Sequence, residues 1–114
     1  MQDRKTLLEM ILSYEDPDLL PDIRRDLEAY EWDSDEQLVV LTKENIISIL
    51  ERYLRSELTA KEVESWAEAT DQRDDVKFGM DGDEDIIEFI GELANPIVPL
   101  APEYAQKLID ELSR

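Results

Sequence analysis

Asp81, Asp83, Asp85 and Glu92 fall at positions 1, 3, 5 and 12 of the pattern by which a calcium loop offers its oxygen ligands. That loop needs a glycine at its sixth position to make the sharp turn, and here the residue is Ile86. The residues beyond it carry helical spacing. The pattern therefore reads as an acidic helix start, where carboxylates complement the positive end of the helix dipole. No metal ligand is assigned.

Paired carboxylates spaced E-x-x-D would suit a magnesium-dependent nucleotide hydrolase on a helical scaffold. Glu15 with Asp18 and Glu68 with Asp71 have that spacing. With 16 glutamates and 14 aspartates in 114 residues, chance produces about two such pairs, the number observed. Glu64 and Glu68 can share a helix face, but the phosphate-binding surface that magnesium chemistry also needs is poor. Only Arg73 and Lys77 stand near, with no glycine-rich cradle. The six serines have no histidine to activate them and no G-x-S-x-G elbow. The reading is non-enzymatic, with no catalytic residue and no cofactor, and a carboxylate-based hydrolase is kept as the alternative.

What remains is charge. Residues 71 to 92 hold nine acidic side chains and two basic ones. Phe78 and Met80 lie inside that run. Two readings are open. One is a solvated acidic face. The other is a docking surface in which Asp74, Asp75, Asp81 and Asp83 form a charged rim around the apolar anchors Phe78 and Met80. The second weakens if Phe78 folds into the core.

The elements that must position these residues are helices. Leu7, Leu8, Ile11, Leu12 and Tyr14 mark an amphipathic helix over residues 3 to 14. EDPD at 15 to 18 interrupts it, and a second helix starts near Pro21 with Ile23, Leu27 and Tyr30 on one face. DSDE reads as a turn. LVVL, within residues 37 to 41, is open between a short strand and an extended segment; an extended connection or one short helical turn is favoured, since no second strand presents itself as a partner. Thr42 caps a helix with Ile46, Ile47, Ile49, Leu50, Tyr53 and Leu54 on a wide apolar face, closed by RSE at 55 to 57. Thr59 and Glu62 form a T-x-x-E capping box, and Val63, Trp66 and Ala67 follow as a buried stripe. Trp66 is assigned to the core rather than to a ligand platform. Residues 71 to 85 are read as the main loop. Asp83 is placed as N-cap of a helix over 84 to 94, with Ile86, Ile87, Phe89, Ile90 and Leu93 inward. Asn95-Pro96 stops it, PIVPLAP is a proline-stiffened connector, and Pro102 opens a last helix with Ala105, Leu108, Ile109 and Leu112 as its stripe. The expected fold is all-α, a single compact bundle of five or six amphipathic helices forming one domain over residues 1–114.

Composition narrows the partners. Acidic residues outnumber basic ones 30 to 12, for a net charge of −18. Such a surface repels nucleic acid and anionic membrane, and a basic protein is its natural complement. There is no cysteine for disulfide or thiol chemistry, and no histidine. The opening stretch MQDRKTLLEMILSYEDPD lacks a signal-peptide core, and no apolar run approaches the ~20 residues of a membrane span. A cytoplasmic location is expected.

The stretch EWDSDEQLVVLTKENIISILERYLRSELTAKEVESWAEATDQRDDV, with the later ELANP and PLAPEYAQKLIDEL, resembles a family of small acidic bacterial proteins. LRSELTAKEVESWAEATDQRDDV is its most recognisable part, and the likeness covers about two thirds of the chain. That family has no assigned activity, so the resemblance implies a bacterial cytoplasmic helical protein. In size, acidity and architecture the chain is also similar in style to the helical immunity proteins that neutralise colicin-type nuclease toxins. No site residue follows from either likeness. The functional expectation is an acidic protein-binding module, in its finer form an immunity-type inhibitor of a basic bacterial protein. A structural or oligomer-forming bundle, with a second copy as partner, is the third reading.

Overall fold

The computed structural model describes residues 4–28, 38–71, 76–79, 84–96 and 100–113. Among them are six α-helices and one pair of short strands: α1 (Arg4–Ser13), α2 (Leu20–Leu27), β1 (Val39–Leu41), α3 (Lys43–Leu54), α4 (Ala60–Thr70), β2 (Val76–Phe78), α5 (Glu84–Ala94) and α6 (Pro102–Leu112). The fold is the expected all-α bundle.

Helix α1 buries Leu7, Leu8, Ile11 and Leu12 on one stripe. It ends at Tyr14, which takes a left-handed backbone (φ 48°). A bulky side chain is strained there. Burial of the ring and a 2.8 Å hydrogen bond from its hydroxyl to the Glu62 carbonyl oxygen offset the strain. Asp16 then accepts from the Asp18 backbone N–H at 3.0 Å, starting a single 3₁₀ turn over Pro17–Leu19 that leads into α2. Pro21 sits in the first turn of α2, where its missing N–H costs nothing. Leu20, Ile23 and Leu27 face inward.

Both central helices start on reciprocal caps. Thr59 accepts from the Glu62 N–H (3.1 Å) while Glu62 accepts from the Thr59 N–H (2.8 Å), the box read in the sequence. Thr42 does the same with Asn45, at 3.3 and 2.8 Å. Helix α3 closes in a Schellman motif. The Ser56 N–H donates to the Tyr53 carbonyl, the Glu57 N–H donates to the Arg52 carbonyl, and Ser56 takes φ 64°.

Residues 39 to 41 decide between the alternatives that the sequence left open, and show a pairing it did not reveal. Val39–Leu41 is a strand, and it pairs in parallel with Val76–Phe78: Val39 opposite Val76, Val40 opposite Lys77, Leu41 opposite Phe78. The segment read as a continuous loop over 71 to 85 therefore contains β2. A parallel pair needs a long crossover. Here the crossover carries α3 and α4, so the partner lies far from LVVL in sequence. Gly79 ends β2 at φ 78° and donates its N–H to the Leu41 carbonyl at 2.8 Å.

Helix α5 packs mainly against α4, and α6 against α3. Ile86, Ile90 and Leu93 of α5 are buried, as are Ala105, Leu108, Ile109 and Leu112 of α6. Ile87 is a second correction. It is 47% exposed, because adjacent residues on a helix point about 100° apart and Ile86 takes the inward position. Phe89 is half-buried at the margin of the core. The Tyr53 hydroxyl donates to the Leu100 carbonyl (3.1 Å), tying the approach to α6 onto α3.

Candidate protein-docking surface

The acidic segment singled out in the sequence is described only in part. Phe78 lies on β2, half-buried and packed against the core, so its ring is in part a structural group. Asp74, Asp75, Met80, Asp81 and Asp83 lie outside the described residues, and so does the N-cap assigned to Asp83. The C-terminal part of the run, Asp85, Glu88 and Glu92, lies on α5.

The carboxylate pairs are dispersed. Glu15 and Asp18 are exposed around the Pro17 turn, and Glu68 is exposed near the end of α4. Glu64 contacts Lys61 at 3.6 Å. Among the described residues, no three acidic side chains gather closely enough to hold a metal ion.

Concavities lined by described residues include two of interest. The first lies between α5 and α6, a groove of about 440 Å³. Each helix lines it at i, i+3, i+4 and i+7: Asp85, Glu88, Phe89 and Glu92 from α5, and Tyr104, Lys107, Leu108 and Glu111 from α6. That spacing places four side chains on one helical face. Helix α5 is held mainly by α4 and α6 by α3, and these two faces look at each other across the groove. Its floor is apolar, with Leu108 buried and Phe89 half-buried. Its rim carries four carboxylates against the single ammonium of Lys107. The Tyr104 hydroxyl donates to Glu92 Oε2 at 2.9 Å and bridges the two walls. Partial burial raises the Tyr104 pKa above its ordinary value, and the bond to Glu92 adds to the rise.

The second concavity, about 370 Å³, lies beside the Pro17–Pro21 turn. Its charges balance: Arg24 and Lys61 against Asp18 and Glu62. Tyr14 forms part of its wall, and burial, aided by the Glu62 charge, pushes the Tyr14 hydroxyl up to about 12. This hollow sits beside a junction that binds helices together. The Trp66 indole N–H donates to the Ile11 carbonyl at 2.9 Å, and Arg52 donates to the Ser13 carbonyl at 3.2 Å. Both carbonyls belong to the last turn of α1, which has no intrahelical donors for them.

Sequence reasoning noted Asp85 and Glu92 only as members of a failed calcium pattern. It did not single out Glu88, Phe89 as a groove residue, or any α6 residue of the groove. The polar spacing on α5 was available as a signal. The juxtaposition with α6 was not, since it is a tertiary fact.

No family model, curated protein or solved structure matches the chain. Among the described residues, no helix is long and apolar enough to cross a membrane.

Proposed function

We propose that the protein is a non-enzymatic binding module that docks a basic protein partner, in its finer form as an immunity-type inhibitor of a basic bacterial protein. The observation that carries this reading is the groove between α5 and α6. It joins an aromatic and apolar floor to a rim of Asp85, Glu88, Glu92 and Glu111. Protein-binding patches pair a desolvated apolar centre with a polar rim, and aromatic residues dominate their energetics. A net charge of −18 supplies long-range attraction for a basic partner. Asp74, Asp75, Asp81 and Asp83 belong to the acidic excess of residues 71 to 92 that would attract the same partner, with Phe78 and Met80 as candidate apolar anchors.

The test is co-expression with a basic protein encoded beside this chain, followed by size-exclusion chromatography and stopped-flow association. A one-to-one complex that survives ~0.15 M salt is expected, with an association rate that drops steeply as salt rises. Asp74, Asp75, Asp81 and Asp83 changed together to asparagine should slow association and flatten that salt dependence. Complexes without fixed stoichiometry that dissolve by ~0.15 M salt would reject the reading. Saturable sub-millimolar magnesium binding accompanied by nucleotide hydrolysis would replace it with the carboxylate-based hydrolase.

A further inference from the structure

Resting on the docking reading above, we propose that the groove between α5 and α6 is an arginine-selective subsite, built to receive a guanidinium carried by the basic partner. Two features point to this occupant over a lysine, and a third sets its charge and size. The first is an aromatic side chain on each wall, Phe89 from α5 and Tyr104 from α6. A guanidinium is planar and weakly hydrated and stacks on ring faces, whereas an ammonium is compact and holds its water tightly.

The second is the state of Glu92. The Tyr104 hydroxyl engages Oε2 at 2.9 Å and fixes the carboxylate against the opposite wall. The Glu88 carboxylate lies one turn away on the same helix face, and a guanidinium fork bridges two separated acceptors where a single ammonium does so less well. The third is charge and size. Glu88, Glu92 and Glu111 outnumber the ammonium of Lys107 along the groove, which favours a cationic occupant. A concavity of about 440 Å³ is within the range of sites that enclose small ligands, ample for one side chain and its backbone. The carboxylates line two helices rather than converging, so a point-like metal ion matches them less well than an extended planar cation.

The test uses the full chain and two fluorescently labelled probes, a hexa-arginine and a hexa-lysine peptide, titrated by anisotropy at ~0.15 M salt. The arginine peptide should bind about tenfold tighter than the lysine peptide. Glu88→Gln with Glu92→Gln should weaken the arginine peptide by about tenfold and abolish most of the preference. Both residues are exposed, so the fold is not at risk. Tyr104→Phe keeps the ring and loses the bond to Glu92, and should weaken binding by a smaller factor, about threefold. Glu51→Gln with Glu68→Gln removes two exposed charges from α3 and α4, and should leave the arginine preference intact. Equal binding of the two peptides, or equal loss from the α3–α4 pair, overturns the subsite while leaving the docking reading standing. Failure of both peptides to bind overturns the subsite and the docking reading together.

Discussion

The end of α1 and the groove between α5 and α6 are built from similar materials to opposite ends. Each has a tyrosine hydroxyl donating across an inter-element gap: Tyr14 to the Glu62 carbonyl, Tyr104 to the Glu92 carboxylate. Each has aromatic rings beside charged groups. At the end of α1 the ring of Trp66 is fully buried, and its indole N–H meets a helix-terminal carbonyl. Among the described residues, no buried side-chain polar atom lacks a partner. In the groove Tyr104 stays 37% exposed and the carboxylates remain on the solvent side. A buried polar group must be satisfied within the chain. An exposed one can wait for a partner. The difference separates the part of the molecule that holds the helices together from the part that is available to another molecule.

The largest effect should come from breaking the junction. Trp66→Ala removes the largest fully buried side chain and leaves the Ile11 carbonyl without its donor. The expected loss is ~3–5 kcal/mol in denaturant unfolding. A loss below about 1 kcal/mol, the range of ordinary surface changes, would mean that the junction is not the structural centre described here.

The two tyrosines sharpen the comparison through pH. Burial and the Glu62 charge push the Tyr14 hydroxyl from 10 up to about 12, so folding favours its neutral form. A raised folded-state pKa contributes stability that is complete below the unfolded value. That contribution should therefore be intact below pH ~10 and disappear as pH climbs toward ~12. Thermal melts should show this alkaline decline. Tyr14→Phe should cost about 1 kcal/mol at neutral pH through the lost hydrogen bond and make the decline shallower. Tyr104→Phe, at an exposed position, should change the decline little. If the two substitutions flatten it equally, the distinction between a closed junction and an open groove fails.

How much of this was legible in the sequence depends on the range of the signal. The Thr59–Glu62 box is contained in four residues, and its chemistry could be read directly. Thr42 was readable as a cap, but its partner Asn45 was not, since asparagine replaces the usual Glu or Gln. The strand pair was invisible for a physical reason. Three residues carry no periodicity, and the partner of Val39–Leu41 lies beyond α3 and α4. Ile87 was misplaced because a stripe of five apolar residues in α5 is wider than the face α4 can cover. The acidic excess over residues 71 to 92 was plain in the sequence. It could not reveal that Phe78 joins a sheet while Asp85, Glu88 and Glu92 look across at α6.

The smallest effect tests the electrostatic half of the comparison. The groove gathers like charges that repel in the folded state, whereas surface ion pairs among the described residues, such as Lys5–Glu9, Arg25–Asp22, Arg55–Glu57 and Lys61–Glu64, each contribute little. With a Debye length of ~10 Å at 0.1 M, added sodium chloride should screen the repulsion and raise the melting temperature at neutral pH. Glu88→Gln with Glu92→Gln should start about 0.5 kcal/mol more stable at low salt, the scale of surface charge changes. It should then gain less from added salt than the wild type does. A groove that costs folding stability and is kept open fits a surface whose carboxylates are neutralised by a partner. A wild-type melting temperature that falls with moderate sodium chloride would mean that ion pairing outweighs repulsion, and the groove would then be an ordinary solvated face.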